Sequence, residues 1–244
     1  MICYAHNGAS EYAPENTKSA FYLALLQGTN GIETSVRRCA SGELVLFYDS
    51  ELDSVSDGSG KVCDHSLEEL KKLHITGSCP TLFYDTVMTL REFLECFASY
   101  PVSFAIELRE ADLEQDVLEL IREFGISSRT TLTSFEFEYL KKVKEIDPSI
   151  RIGWLTELPE EEDVQALLKI GGEEICPHTK QITAENLSHW KELGLSVRAW
   201  GMKGKRFLKL LYDLGVDGMS VNFPDRFCEY NGYILSNEKI QKGE

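Results

Sequence analysis

The ten residues from Lys191 to Trp200 read KELGLSVRAW and contain the pattern that decides the fold. A charged helical segment ends, Gly194 follows at the place where a left-handed residue closes a helix, and a β-rich run begins. The same order of helix, glycine and strand occurs in four other stretches: LLQGTNGIETSV (25–36), REFGISSRTTLTS (122–134), LKIGGEEICP (168–177) and YDLGVDGMSV (212–221). These repeated units predict an α/β fold with a parallel sheet.

Eight short runs have the composition of strands, and helical patterns lie between them. Eight strands alternating with helices over 244 residues predict a (β/α)8 TIM barrel, built as a single domain over residues 1–244. The alternative is a doubly wound open sheet, which more often has fewer strands. The predicted strands are Ile2–Ala5, Gly31–Val36, Ser103–Glu107, Thr130–Thr133, Arg151–Leu155, Glu174–Cys176, Ser196–Ala199 and Gly218–Val221.

Between the second and third predicted strands, the chain is longer than a barrel connection needs. This stretch contains two capping boxes, Ser66 with Glu69 and Thr89 with Glu92, and each box predicts the start of a helix. The second of these helices is the one expected in a barrel. Residues 49–88 are therefore predicted to form a small insertion at the barrel mouth.

The net charge of the chain is −15, from 25 Lys and Arg against 40 Asp and Glu. This charge opposes nucleic acid or an anionic membrane surface as the main partner, and no apolar run approaches the roughly 18 residues of a membrane span. Seven scattered cysteines without a Cys-x-x-Cys spacing, together with no signal peptide, predict reduced thiols and a cytoplasmic location. The oligomeric state is left open.

Two acidic side chains stand near the carboxyl ends of neighbouring predicted strands, where barrel enzymes place their chemistry. Glu33 shares a strand face with Ser35, and Glu107 shares one with Arg109. An inward carboxylate is costly unless a cation or hydrogen bonds compensate it, and oxygen ligands favour magnesium or calcium over zinc. Glu33 and Glu107 are therefore predicted metal ligands. The alternative for Glu107 is an ion pair with Arg109.

Short motifs run through the chain in a fixed order: HNGA (6–9), PENT (14–17), GIE (31–33), D-x-x-LD (49–53), G-x-G (58–60), SL-x-EL (66–70), IE (106–107), SF (134–135), V-x-x-W (197–200), GVDG (215–218) and PD (224–225). Over almost its whole length the chain thereby resembles the glycerophosphodiester phosphodiesterase family. The resemblance implies a TIM barrel with a small insertion after the second strand. It also implies metal-dependent cleavage of a small-molecule glycerophosphodiester, such as glycerophosphocholine, to glycerol 3-phosphate and an alcohol.

The resemblance implies catalytic roles at two positions. His6 matches the first of two histidines that act as general acid and base, although a lone histidine there is more often a core residue. Tyr48, directly before Asp49, occupies the position of the second histidine. The side chains predicted to contact substrate or phosphate are Asn7, Glu15, Arg109, His178 and Trp200.

Several positions at the mouth depart from the family pattern. Tyr48 replaces a histidine, Ser35 an aspartate ligand, Asn7 an arginine and Arg109 a lysine. Because tyrosine titrates near about 10, it is a poor proton shuttle at neutral pH. The missing carboxylate at Ser35 predicts a weakened metal site, which calcium tolerates better than magnesium. His178, at the end of a later strand, is a candidate replacement proton donor.

These departures leave hypotheses of different classes. One is a divergent or impaired phosphodiesterase. Another is a catalytically inactive barrel that binds a phosphate-containing ligand. A third keeps the catalysis and changes the substrate, for example to a lysophospholipid or a cyclic phosphodiester.

Overall fold

The computed structural model describes residues 1–76, 84–202 and 204–232. Its strands are β1 Ile2–His6, β2 Gly31–Arg38, β3 Leu44–Leu46, β4 Ser103–Leu108, β5 Thr130–Ser134, β6 Arg151–Thr156, β7 Glu174–Pro177, β8 Ser196–Ala199 and β9 Gly218–Val221. All except β3 form a ring of parallel strands in the order β1-β2-β4-β5-β6-β7-β8-β9, and β9 pairs back to β1. The ring is closed, so the predicted (β/α)8 TIM barrel is confirmed.

Most strands run one or two residues further at their carboxyl ends than the sequence predicted. His6, for example, belongs to β1 and aligns with Glu33 on β2, and Ser35 on β2 aligns with Glu107 on β4. His6, Glu33 and Glu107 therefore project from hydrogen-bonded strands rather than from loops. Strand positions hold side chains more rigidly than loops do.

Helices follow the strands around the outside of the ring. They are α1 Lys18–Leu26, α2 Leu67–Leu70, α3 Leu90–Phe97, α4 Glu114–Glu123, α5 Phe137–Ile146, α6 Glu161–Lys169, α7 Ala184–Glu192 and α8 Lys205–Leu214, followed by helical residues 224–232. The five glycines predicted to end helices all have left-handed φ angles, between 67° and 87°: Gly28, Gly125, Gly171, Gly194 and Gly215. The helix–glycine–strand pattern that predicted the fold therefore reflects the left-handed backbone conformation of the glycine that ends each helix.

Alternate residues of each strand face two different environments. Those that face the helices are apolar and fully buried, as at Ile32, Ile106 and Leu132. Those that face the barrel axis include many polar groups, and the buried members are Glu33, Ser35, Glu107, Thr133, Glu174, Arg198 and Ser220. Charges in such an interior must compensate one another, because water is excluded.

The long connection after β2 packs on the mouth of the barrel. β3 pairs antiparallel with the end of β2, and α2 and α3 each begin at the capping box that predicted them. A separate apolar cluster, which includes Phe47, Leu52 and Leu70, is drawn from residues 39–87 and forms the core of this segment. The predicted insertion, residues 49–88, includes positions 77–83, which lie outside the described residues.

The described residues also show the state of the cysteines and the lengths of the helices. Six cysteines are free in the described part of the chain, and Cys63 is exposed. The seventh, Cys79, lies outside it. No helix in the described ranges has both the length and the apolar character needed to cross a membrane.

Candidate active site

The first strand ends in a turn that carries the predicted catalytic histidine. After His6, Asn7 has a φ of 54° and Gly8 a φ of 85°. A Cβ added at Gly8 would lie 2.6 Å from the carbonyl carbon of Ala20 on α1, which is far inside van der Waals contact. Only glycine lets the turn pack this closely against α1. This packing sets the position of His6 at the mouth.

His6 is oriented by the residue that follows the last strand. Its Nδ1 lies 3.0 Å from Oδ1 of Asn222. Because an amide oxygen only accepts hydrogen bonds, Nδ1 carries the proton and donates it, and Nε2 keeps its lone pair. The ring of Tyr48 lies edge-on to the imidazole, with 5.9 Å between ring centroids. His6 is therefore held in the tautomer that accepts a proton at Nε2.

Tyr48 is fixed by two arginines. The guanidinium of Arg109 lies 4.1 Å from the centroid of the Tyr48 ring. Nε of Arg109 donates to the Tyr48 carbonyl at 3.1 Å, and Arg37 donates to the same carbonyl from Nη2 at 3.0 Å. Burial raises the pKa of Tyr48, and Arg109 only partly opposes this effect. The phenol is therefore protonated at neutral pH.

Glu107 is held by two partners on the cavity wall. Nη1 of Arg109 donates to its Oε1 at 2.7 Å, and Oγ of Ser35 donates to its Oε2 at 2.9 Å. Only 2% of Glu107 is exposed. The alternative raised from the sequence, an ion pair with Arg109, is present.

Glu33 is bound from across the barrel by an arginine that the sequence analysis did not single out. Nη1 of Arg198 donates to Oε2 of Glu33 at 2.8 Å, and Oγ of Ser220 donates to the same oxygen. Arg198 is fully buried and also donates from Nε to Oε2 of Glu174 at 3.2 Å. It lies over the ring of Tyr4, 4.7 Å from its centroid. One guanidinium therefore forms ion pairs with two buried carboxylates.

Two adjoining cavities open at this end of the barrel. The first, of about 230 Å³, has a polar and an apolar wall, and its lining includes His6, Glu33, Tyr48, Glu107, Ser220 and Asn222 opposite Phe135, Leu155, Trp200 and Met202. The second, of about 400 Å³, shares Tyr48, Glu107, Phe135 and Trp200 with the first and adds Arg109, Ser134, Glu136 and Glu157. The shared wall therefore has one cavity on each side.

Comparison with known proteins identifies the family. Residues 6–226 match the glycerophosphoryl diester phosphodiesterase family. The chain belongs to this family. It is 29% identical over 230 residues to the glycerophosphodiester phosphodiesterase of Caldanaerobacter subterraneus subsp. tengcongensis, covering 92% of this chain and 95% of that protein. It is 30% identical over 237 residues to the glycerophosphodiester phosphodiesterase of Bacillus altitudinis, covering 91% and 95%.

A solved structure supports the same membership in the glycerophosphodiester phosphodiesterase family. The phosphodiesterase of Oleispira antarctica, solved in complex with its product sn-glycerol 3-phosphate, superposes with a TM-score of 0.86 at 26% identity. The match covers 93% of this chain and 95% of the other. The family resemblance stated from the motifs is thereby confirmed, and family membership together with the relatives' names supports a hydrolase of this class.

Two of the predicted substrate-contacting residues lie together on the rim. Trp200 lines both cavities, and its Nε1 donates to the carbonyl of Cys176 at 2.9 Å. His178 packs edge-on against Trp200, with 4.8 Å between ring centroids, and its Nδ1 accepts from the backbone N–H of Lys180. His178 lines neither cavity. Its position suits support of Trp200 better than the proton donation considered from the sequence.

Asn7 and Glu15 lie behind the mouth rather than in the cavity. Asn7 is buried, and its backbone N–H donates to the carbonyl of Glu33 at 2.9 Å. Its carbonyl accepts from the N–H of Asn16 at 2.9 Å, and its Oδ1 has no hydrogen-bond partner among the described residues. Glu15 lines a narrow gap beside Tyr48; burial raises its pKa, and His6 opposes this rise. Neither residue is among those that line the two cavities.

The side chains present do not fit the calcium or magnesium site predicted from Glu33 and Glu107. Each carboxylate is already bound by an arginine and a hydroxyl, and Ser35 contributes a donated hydrogen bond rather than a charge. Within the described residues, no three acidic, histidine or cysteine side chains are grouped as a metal site would need. A hard divalent ion requires several oxygen ligands with uncompensated charge. The guanidinium of Arg198, which the sequence did not pair with Glu33, already supplies positive charge to that carboxylate.

Arg198 and Asn222 bind two of the predicted site residues, Glu33 and His6, but were not themselves predicted from the sequence. Arg198 lies on β8 and Trp200 follows directly after the end of that strand, and the period of two points both side chains to the inner face. A charged residue at such a position is a signal for a buried ion pair. Nothing local in the sequence indicates which carboxylate it binds.

Proposed function

We propose that the protein hydrolyses glycerophosphodiesters, releasing sn-glycerol 3-phosphate and an alcohol. One observation carries the proposal: His6 is held by Asn222 in the tautomer that accepts a proton at Nε2, on the wall of a cavity that also contains Tyr48. Membership of the glycerophosphodiester phosphodiesterase family supports this substrate class. So does the product bound in the Oleispira antarctica phosphodiesterase.

The two cavities match the two halves of such a substrate. The phosphate would lie at the shared wall, where Tyr48 and Arg109 present hydrogen-bond donors, with the glycerol and the alcohol on either side. His6 Nε2 would take the proton of a neighbouring substrate hydroxyl while that oxygen bonds to phosphorus and the bond from phosphorus to the alcohol oxygen breaks. Water would then open the resulting cyclic phosphate to sn-glycerol 3-phosphate. Arg109 is suited to a phosphate because its planar guanidinium offers several donors.

Tyr48 limits the rate in this scheme. The bond from phosphorus to the leaving oxygen breaks more easily when a positioned acid protonates that oxygen. Burial raises the pKa of Tyr48, so it stabilises the leaving oxygen by a hydrogen bond and transfers a proton poorly. Loss of a positioned general acid typically costs about 10²–10⁴-fold in rate. We therefore expect a slow enzyme of this class.

The direct test is release of sn-glycerol 3-phosphate from glycerophosphodiesters by the wild-type chain, His6→Ala and Tyr48→His. The wild type should be slow, His6→Ala inactive, and Tyr48→His faster than the wild type. A Tyr48→His variant slower than the wild type would mean that the phenol has a role of its own and that the substrate differs, for example a lysophospholipid or a cyclic phosphodiester.

A second candidate function is a non-catalytic barrel that binds a phosphate-containing ligand. The observation that favours it is the phenol of Tyr48 at the place of the family's second histidine. In that case the wild type and His6→Ala would both bind sn-glycerol 3-phosphate, and neither would release it from a diester.

No step of this reaction uses a divalent ion, because both predicted ligands, Glu33 and Glu107, are bound by arginines. The partner is a small phosphate compound, in keeping with a net charge that opposes nucleic acid. A cytoplasmic location belongs to the same proposal and is supported by the six free cysteines among the described residues.

A further inference from the structure

We propose that this barrel binds the phosphate of its ligand without a divalent cation, and that arginine–carboxylate pairs stand where the family would hold the ion. Arg198 engages Glu33, Arg109 engages Glu107, and Arg109 itself supplies the positive charge that meets the phosphate. The inference rests on the proposed function only in taking a phosphate ester as the ligand.

The pair between Arg198 and Glu33 cannot open to admit an ion. Arg198 has no exposed surface and holds Glu174 as well as Glu33. Moving its guanidinium away would leave two buried carboxylates unpaired, which is strongly destabilising. Oε2 of Glu33 is therefore committed to Arg198 in the folded protein, and Glu33 could offer an ion only its other oxygen.

Glu107 is committed on both of its oxygens. Oε1 accepts from Arg109 at 2.7 Å and Oε2 accepts from the hydroxyl of Ser35 at 2.9 Å. A cation at Glu107 would meet the positive charge of Arg109 and a hydroxyl hydrogen pointed toward the carboxylate. Because Ser35 is neutral, the only carboxylate that β2 brings to this cavity is Glu33, whose Oε2 is already bound by Arg198.

Arg109, in contrast, remains available to an anion. Its side chain is 20% exposed and lines the second cavity. Nε and Nη1 donate at 3.1 and 2.7 Å, and the stack on Tyr48 fixes the plane of the guanidinium. A guanidinium carries five N–H donors, so donors remain for phosphate oxygens. Its orientation is set before the ligand arrives, which lowers the entropy cost of binding.

Calorimetry with sn-glycerol 3-phosphate tests the proposal without turnover. The wild-type chain should bind with equal affinity in EDTA and in millimolar calcium or magnesium. Arg109→Gln should weaken binding by about 10- to 100-fold, as expected for a charged hydrogen-bonding group. Arg151→Gln, the same charge change at an exposed arginine at the opposite end of the barrel, should leave it unchanged.

A gain-of-site variant tests the role of Ser35. Ser35→Asp places a second carboxylate beside Glu107, so its melting temperature should be below wild type in EDTA and should rise with calcium or magnesium. The melting temperature of the wild type should not rise with either ion. Failure of Ser35→Asp to respond to either ion would contradict the assignment of Ser35.

Binding of sn-glycerol 3-phosphate by the wild type only in the presence of calcium or magnesium would overturn the inference and leave the proposed hydrolase intact. A metal-induced rise in the wild-type melting temperature that Glu107→Gln removes would overturn it equally. No binding under any condition would overturn both the inference and the proposed ligand class.

Discussion

Arg198 and Glu33 are 165 positions apart in the chain and form a buried ion pair of 2.8 Å across the interior of the barrel. The arginine is fully buried and the glutamate nearly so. Glu174 and Ser220 complete the cluster. Glu33 and Ser220 also line the cavity that contains His6, so this charged network forms part of the cavity wall.

Arg198→Met should lower the free energy of unfolding by about 3–5 kcal/mol, because it leaves Glu33 and Glu174 as unpaired buried charges. Urea denaturation measures the change. The matched control is Arg91→Met, which breaks an ion pair with Glu123 at 2.6 Å whose two side chains are about half exposed, and which should cost no more than about 1 kcal/mol.

A double variant separates charge from packing in this cluster. Arg198→Met with Glu33→Gln should be more stable than Arg198→Met alone, since one unpaired charge is gone. An Arg198→Met cost equal to that of Arg91→Met would show that the buried pair is not needed for the folded state.

Gly8→Ala should destabilise the protein more than Gly194→Ala. Both glycines have a φ of 85°, so each variant carries the left-handed strain of about 1–2 kcal/mol. A Cβ at Gly194 meets no atom within 4 Å, whereas one at Gly8 lies 2.6 Å from Ala20. The crowding adds about 1–3 kcal/mol at Gly8. Thermal or urea unfolding of the two variants measures the difference, and equal losses would mean that the turn after β1 moves freely away from α1.

Asn222→Ala should lower kcat for the proposed reaction by about 10²-fold, because His6 loses the partner that fixes its ring. Asn222→Asp should restore much of the rate, since a carboxylate also accepts from Nδ1–H. Nitrogen NMR of the His6 ring checks the cause: the Nδ1-protonated form should dominate in the wild type and decline in Asn222→Ala. An unchanged tautomer in Asn222→Ala would remove the positioning role from Asn222.

Asp147 should make stability depend on pH in acid. Hydrogen bonds from Ser149 and from Arg122 lower its pKa from the ordinary value of 3.8 to about 2. A carboxyl group whose folded pKa is depressed stabilises the fold above the unfolded pKa, and the contribution is lost as pH falls through the folded pKa. Wild type should therefore exceed Asp147→Asn in unfolding free energy above about pH 4, and the gap should close toward about pH 2. Urea denaturation from neutral to acid pH measures the gap; a gap that stays constant across this range would exclude the charge of Asp147 as its source.

Local sequence was sufficient for the architecture. A left-handed glycine such as Gly194 ends a helix through its own backbone, and the capping boxes at Ser66 and Thr89 need only four consecutive residues. The period of two along a strand also placed Glu33 and Glu107 on the inner face without knowledge of their partners. His6 and Tyr48 were predicted as catalytic residues from the order of the family motifs, and the fold brings both to one cavity.

Which side chains the inward polar residues bind inside the barrel depended on the tertiary structure. Closure of the ring brings β8 opposite β2, so that Arg198 reaches Glu33, and it brings the end of β9 beside β1, so that Asn222 reaches His6. Sequence alone determined which side chains point inward, because that follows from backbone geometry over a few residues. Only the closed barrel decided whether an inward carboxylate meets an arginine or is left for an ion, because electrostatic compensation depends on distances between strands far apart in the chain.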